Sequence, residues 1–263
     1  MGIYDEADLY CAAFDRSLDA EVDWLLERFP EARSVLEPFC GNARYGPVFA
    51  ARGLEYVGFD NSQAMLARAP SGERITVLRA DAARFEIPQT PTGGFDLAWC
   101  PINSLSHLTD EPDIITHLRC AGRHLAPGGC YVVELDPVRC DGPWEDPPGT
   151  ENVWTFEQAD GTTVSASWKR ERCDLAARIG TERSTFRRKR GEEVLAEITQ
   201  THRMRMWTCE DLRRIPAEAG FSVDERVIIH KDDPPGPETR LSPGLENSGL
   251  NYYFFLQPVA MRS

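Results

Sequence analysis

The chain has 263 residues, 41% hydrophobic and 27% charged, with a formal net charge of −13. That length holds one large α/β domain or a core domain with an insertion, and the acidic balance excludes a general nucleic-acid binder, because phosphate attraction needs a basic surface. No apolar run approaches a membrane span, and eight scattered cysteines, with no CxxC pair and no signal-peptide pattern, read as thiols of a cytoplasmic protein.

Leu18, Val22, Leu25, Leu26 and Phe29 recur at helical spacing, so the segment from Tyr4 to Phe29 predicts one or two amphipathic helices with Ser17 as an N-cap. A first strand follows from Ser34 to Glu37. It runs into a tight turn around Gly41 and a helix from Ala43 to Arg52, which Gly53 ends. The second strand ends at Asp60, and a short helix from Ser62 to Ala69 stops before Pro70. The third strand, from Ile75, ends at Asp81, and a polar Pro/Gly stretch leads to a fourth from Phe95 to Cys100. Acids and Pro112 then open a helix with the apolar stripe Ile114, Leu118, Ala121 and Leu125. Pro127-Gly128-Gly129 turns that helix into a fifth strand from Cys130 to Leu135. Short apolar strands alternating with helices predict a doubly wound, mostly parallel α/β sheet covered on both faces. Three of its strands end on an acid, and such sheets bind adenosine-bearing ligands at the carboxyl ends of their strands.

The texture changes after Pro137. Two β segments flank Asp160-Gly161, and a second pair brackets the turn from Lys189 to Glu192. These predict an antiparallel insertion over residues 151–207. Thr208 to Asp211 resembles a capping box for a helix that Gly220 ends, followed by a strand from Phe221 to His230. A Pro-rich loop from Lys231 to Gly249 precedes a final strand from Leu250 to Gln257.

This order resembles the class I S-adenosylmethionine-dependent methyltransferases, in their bacterial small-molecule branch. The resemblance rests on Leu36-Glu37, Cys40-Gly41 and Arg44, on Leu125-Ala126-Pro127-Gly128-Gly129, on Phe95-Asp96-Leu97-Ala98, and on the stretch from Trp207 to Phe221. It implies a seven-stranded Rossmann-like sheet. Residues 1–150 would hold the N-terminal helices and cofactor-binding half, 151–207 the acceptor-side wall, and 208–263 the last helix and two strands. It also implies S-adenosylmethionine as cofactor, S-adenosylhomocysteine as product, and methyl transfer to N or O of a small-molecule acceptor by a monomer or homodimer. Glu37 and the Gly41 turn would approach the methionine portion, Asp60 the ribose hydroxyls, and Asp81 with Ala82 the adenine. Phe39 and Met65 would pack near the ring, and Tyr10 or Arg44 would meet the carboxylate. Asn42, Ala43, Asn61 and Cys100 complete the expected set, with no metal. The chain departs from the family where Phe39 and Ala43 replace the usual glycines of the turn.

Other readings of the same residues are open. A cofactor-binding protein without methyl transfer is one alternative, and an NAD-dependent oxidoreductase is a weaker one, since the turn lacks two glycines of G-x-G-x-x-G. Gly41 and Gly46 have P-loop spacing, but Pro47-Val48 stands where Lys-Ser/Thr would be required. His107, Glu134 and Asp136 are the expected catalytic residues, each equally readable as a solvated strand end or cap. His117 and His124 read as surface positions of one helix. The basic run from Arg183 to Arg190 reads as a solvated hairpin tip, with an anion clamp as the alternative.

Overall fold

The computed structural model describes residues 2–138, 151–230, 235–246 and 250–259. Helices α1 (Ala7–Ala12) and α2 (Asp19–Arg28) precede β1 (Ser34–Pro38), α3 (Gly46–Ala51), β2 (Glu55–Asp60), α4 (Gln63–Leu66), β3 (Ile75–Arg79), β4 (Phe95–Cys100), α5 (Glu111–His124) and β5 (Leu125–Leu135). A four-stranded meander, β6 (Asn152–Glu157), β7 (Thr163–Asp174), β8 (Ile179–Arg190) and β9 (Glu193–Arg205), leads to α6 (Cys209–Glu218). The chain closes with β10 (Phe221–Val223), β11 (Arg226–His230), β12 (Glu238–Arg240) and β13 (Asn251–Pro258).

The main sheet runs β12-β11-β13-β5-β4-β1-β2-β3, with β10 paired to β13. From β3 through β5 all pairs are parallel, and β13 then inserts antiparallel between β5 and β11. The seven expected strands are therefore present, and two short ones are added. The single strand expected from Phe221 to His230 is two, because the chain leaves the sheet at Asp224, whose carboxylate accepts the Arg226 N–H at 2.9 Å. The expected loop before the last strand also contains β12, which covers the edge at β11. The rest of that loop's central part, 231–234 and 247–249, lies outside the described residues.

Strand alternation divides the core cleanly. Val35, Leu97, Trp99, Val132, Tyr253 and Phe255 pack beneath α2 and α3, whereas Leu36, Ala98, Cys100, Tyr131, Val133 and Phe254 meet α5 and α6. The central strands β1, β4 and β5 are buried on both faces, as their unbroken apolar runs require. The insertion buries Val164, Ala166 and Phe186 against Ile3, Leu9 and Ala13 of the N-terminal segment in a small third core. It rejoins the main body through a bridge between Pro137 and Trp207.

Helix ends shift from expectation for local reasons. The helix after β1 starts at Gly46 rather than Ala43, because Ala43 has φ +52, which no helical residue adopts. Leu18, not Ser17, occupies the N-cap position of α2, although the Ser17 hydroxyl accepts the Asp19 N–H at 3.3 Å. Pairing of β5 begins at Leu125 and passes the Pro-Gly-Gly turn as an irregular register against β4. The capping box is realised: Thr208 Oγ accepts the Asp211 N–H at 3.1 Å and Asp211 Oδ2 accepts the Thr208 N–H at 3.4 Å. Thr208→Ala is expected to lower the unfolding free energy by about 1 kcal/mol, measured by urea denaturation.

Candidate active site

One cavity of about 990 Å³ lies over the carboxyl ends of β1 to β4, with the meander as its opposite wall. It opens where the connections from β1 and β4 leave in opposite directions, the position at which α/β sheets have a crevice.

The strand-end half begins at Glu37, which is only 3% exposed. Its Oε2 accepts the Tyr56 hydroxyl at 2.6 Å. Burial pushes its carboxyl up to about 8, with the Tyr56 bond and the Arg44 charge offsetting only part. Asp60 holds two turns at once: its Oδ2 accepts the Gly41 N–H at 2.9 Å and its Oδ1 the Ser62 N–H at 2.8 Å. Each oxygen keeps a further lone pair for a ligand. Asp81 Oδ1 accepts the Ala83 N–H at 2.9 Å, and Ala82 lies beside it on the wall.

The turn after β1 keeps left-handed backbone without the glycines. Phe39, Gly41 and Ala43 have φ of +58, +56 and +52. For the two residues with a Cβ this costs roughly 1–2 kcal/mol each. The cost is offset where the turn is anchored: the Cys40 N–H donates to the Phe59 carbonyl at 3.0 Å, and the Phe39 ring packs 5.6 Å from that of His117. Gly58 is required beneath, since a Cβ there would meet the Cys40 Cβ at 2.9 Å. Arg44 donates from Nη1 to the Phe14 carbonyl at 2.9 Å, while its Nη2 is buried with no partner among the described residues. Tyr10, Asn42, Asn61 and Met65 also line this half.

The meander half joins His107 and Asp136 to Arg170 and Glu182, two charged residues that the sequence does not single out. Arg170 lies 2.7 Å from Glu182 and 3.5 Å from Asp136, and the Trp168 indole N–H donates to Glu182. Burial raises the Asp136 carboxyl to about 6, with Arg170 offsetting part and Glu182 adding to it. His107 Nε2 lies 3.0 Å from the Tyr4 hydroxyl, and burial, reinforced by His202, holds the imidazole down to about 4. Trp154, Met204 and Asn251 complete the wall. The one sequence signal for Arg170 and Glu182 is their direct cross-strand register in the β7–β8 hairpin, visible only once that hairpin is assigned.

Three expected site residues stand behind the cavity instead. Ala43 and Cys100 are fully buried, the Cys100 thiol pushed up to about 12 by burial. Glu134 is 1% exposed and its oxygens are taken by Ile102, Asn251 and His230, because β5 ends beneath the loop after β4 and not at the open rim. His117 and His124 are not surface positions. His117 bridges the Ala82 carbonyl (2.7 Å) and the Tyr131 hydroxyl (2.8 Å), and His124 Nε2 accepts the Ile87 N–H at 2.9 Å. The basic run lies along β8 and not at a hairpin tip, and it stays away from the cavity: Arg183 pairs with Glu171 and Arg187 with Glu197 on the outer face of the meander.

Comparison with known proteins agrees with this geometry. Residues 35–129 match the family described as a methyltransferase domain. The dTDP-4-amino-2,3,4,6-tetradeoxy-D-glucose N,N-dimethyltransferase of Saccharopolyspora spinosa is 29% identical over 141 residues, 49% of this chain and 54% of that protein. The match thus spans about half the length of that curated relative. Among solved structures, the sugar N-methyltransferase KedS8 from Streptoalloteichus sp. superposes with a TM-score of 0.67 at 21% identity, covering 94% of this chain and 91% of its own. DesVI of Streptomyces venezuelae gives 0.71 at 18% identity, covering 98% and 99%. Residues 35–129 therefore match a methyltransferase domain, and the chain shares the fold of these solved structures.

The Glu37 carboxyl has a consequence for stability. Between the unfolded glutamate value of about 4.3 and the folded value of about 8, the folded chain holds a proton that the unfolded chain has released. Stability must fall as pH rises through that window. Melting temperatures of the ligand-free protein, compared with Glu37→Gln, are expected to diverge over this range, the wild type declining more steeply. Parallel curves would contradict a protonated Glu37.

Proposed function

We propose that this protein moves a methyl group from S-adenosylmethionine to an amine nitrogen of a small, sugar-like acceptor. The observation that carries the reading is the continuity of one cavity, acid-lined over the strand ends and aromatic and acidic along the meander. The curated relative and KedS8, both named as N-methyltransferases of sugars, support the acceptor class.

The residues fit the cofactor. Arg44 Nη2, buried and unpartnered, suits its carboxylate, and the free lone pairs of Asp60 suit two ribose hydroxyls. Glu37, Gly41 and Asn42 would hold the methionyl end. Asp81, Ala82, Asn61, Phe39 and Met65 would hold the adenosyl end, with Tyr10 closing over it. When bound, the sulfonium supplies an already activated methyl group.

The chain's own work is then alignment, exclusion of water and charge placement. An amine attacks through its lone pair, so it must arrive neutral, and positive charge develops on nitrogen as the bond forms. Asp136, ionised above about pH 6, and Glu182 stabilise that charge, which argues for nitrogen over oxygen. His107, neutral at physiological pH, accepts a hydrogen bond and orients the acceptor with Tyr4. Trp154, Trp168 and the rest of the meander wall would set which acceptor enters. The described lining of the cavity comes from one chain, which a monomer supplies and a homodimer also allows. The acceptor is a soluble small molecule and not a nucleic acid, in keeping with the net charge of −13. No described helix is long and apolar enough to cross a membrane.

Calorimetric titration with S-adenosylmethionine and S-adenosylhomocysteine tests the first half. Micromolar binding is expected, weakened at least about tenfold by Asp60→Ala, the loss anticipated for charged hydrogen bonds. Absence of binding to folded protein would remove the reading. S-adenosylhomocysteine release with matched amino and hydroxy sugars tests the second half. Turnover is expected with the amines only. Asp136→Asn is expected to lower kcat by about a hundredfold with cofactor affinity unchanged.

A further inference from the structure

The loop after β4 forms the floor between the two halves of the cavity, and its backbone is strained. Ile102 and Asn103 have φ of +50 and +57 in succession. A β-branched residue in the left-handed region is a marked outlier and needs surroundings that over-determine it. Asn103 is held from the meander side: its Nδ2 donates to Asp136 Oδ1 at 3.2 Å, its Oδ1 accepts the Ser106 hydroxyl at 2.7 Å, and Trp207 Nε1 donates to Ser106 Oγ at 3.0 Å. Ile102 is held from below by one group, its N–H donating to Glu134 Oε2 at 2.5 Å.

Glu134 is itself clamped. Its Oε1 accepts Asn251 Nδ2 at 2.6 Å and lies 2.8 Å from His230 Nδ1. The His230 ring stacks on Tyr253 at 5.0 Å, and the Tyr253 hydroxyl donates to Glu21. Glu21 also accepts Tyr45 at 3.0 Å and pairs with Arg16 at 2.9 Å. By distance alone Glu21, Glu134 and His230 could each offer a donor to one ion. Their atoms already serve hydrogen bonds that anchor the loop to the core, so a clamp accounts for them without a metal. A carboxylate offers only acceptors, which is what three converging donors require. An amide in its place must turn its NH2 toward one of them.

We propose that Glu134, fixed by His230 and Asn251, is a positioning residue that holds the strained Ile102–Asn103 turn and thereby sets where the acceptor sits relative to the cofactor. This rests on the methyltransferase reading, but its physical core does not depend on activity. In Glu134→Gln, hydrogen–deuterium exchange of the amides from Ile102 to His107 is expected to accelerate by about tenfold while β1, β4 and β5 keep their protection. The acceptor KM is expected to rise about tenfold, with S-adenosylmethionine affinity within about twofold. Should Glu134→Gln fail to fold, His230→Phe removes one clamp donor, keeps the ring on Tyr253, and is expected to accelerate the same amides to a smaller extent. Unchanged exchange in that segment would overturn the proposal, as would equal acceleration throughout the core. Loss of cofactor binding by the wild type would sink the functional reading alone, leaving the exchange result to decide the clamp.

Discussion

Both turns that bound the cavity are backbone that the chain would not adopt unaided, and each is held by a carboxylate on a neighbouring strand. Asp60 at the end of β2 takes the Gly41 N–H, and Glu134 near the end of β5 takes the Ile102 N–H. The strand order places β1 and β4 side by side between those two strands, so the carboxylates sit at either side of the turns they steady. Left-handed Phe39, Ala43, Ile102 and Asn103 together represent several kilocalories per mole of conformational cost. The buried sheet beneath absorbs it, and the crevice exists because it does.

The buried acids of the site differ in charge for reasons of neighbourhood. Glu37 has a phenol as its close partner, and burial wins, so it keeps its proton to about pH 8. Glu134 is equally buried, but an imidazole, an amide and a backbone N–H converge on it and hold it below the usual carboxylate range despite the loss of water. Asp136 falls between, with Arg170 shared between it and Glu182. The separation of roles follows: a neutral donor toward the strand-end half, a structural anion beneath the floor, and an ionisable carboxylate on the meander half.

The N-terminal segment and the meander form the small third core, and its polar edge lines the cavity. Tyr4 reaches His107, Trp154 donates to the Ala13 carbonyl at 2.6 Å, and the Arg44 guanidinium lies over Phe14 at 5.5 Å. Packing of apolar residues on one side of α1 thus fixes where aromatic and charged groups fall on the other.

Local pattern was enough for most of the elements and for the acids at the β1, β2 and β3 ends of the sheet. Glu37 and Asp60 in the last residues of β1 and β2, Asp81 two residues past β3, the Gly41 turn, the Asp160-Gly161 hairpin and the Thr208 capping box depend on neighbours a few residues away, so they are legible in order along the chain. The burial of His117 and His124 was not, because it depends on Ala82, Ile87 and Tyr131 arriving from other elements. Arg170 and Glu182 read as ordinary charged strand residues until β7 and β8 pair in register. Glu134 reads as one more strand-end acid until β11 and β13 bring His230 and Asn251 against it. Sequence by itself determined the doubly wound sheet, the acid-lined end and the insertion, because periodicity and turn chemistry act locally. Tertiary structure alone decided which acids meet the cavity, which hold the backbone, and which cation joins the meander wall, because charge state and exposure depend on groups that are distant in the chain and adjacent only after folding.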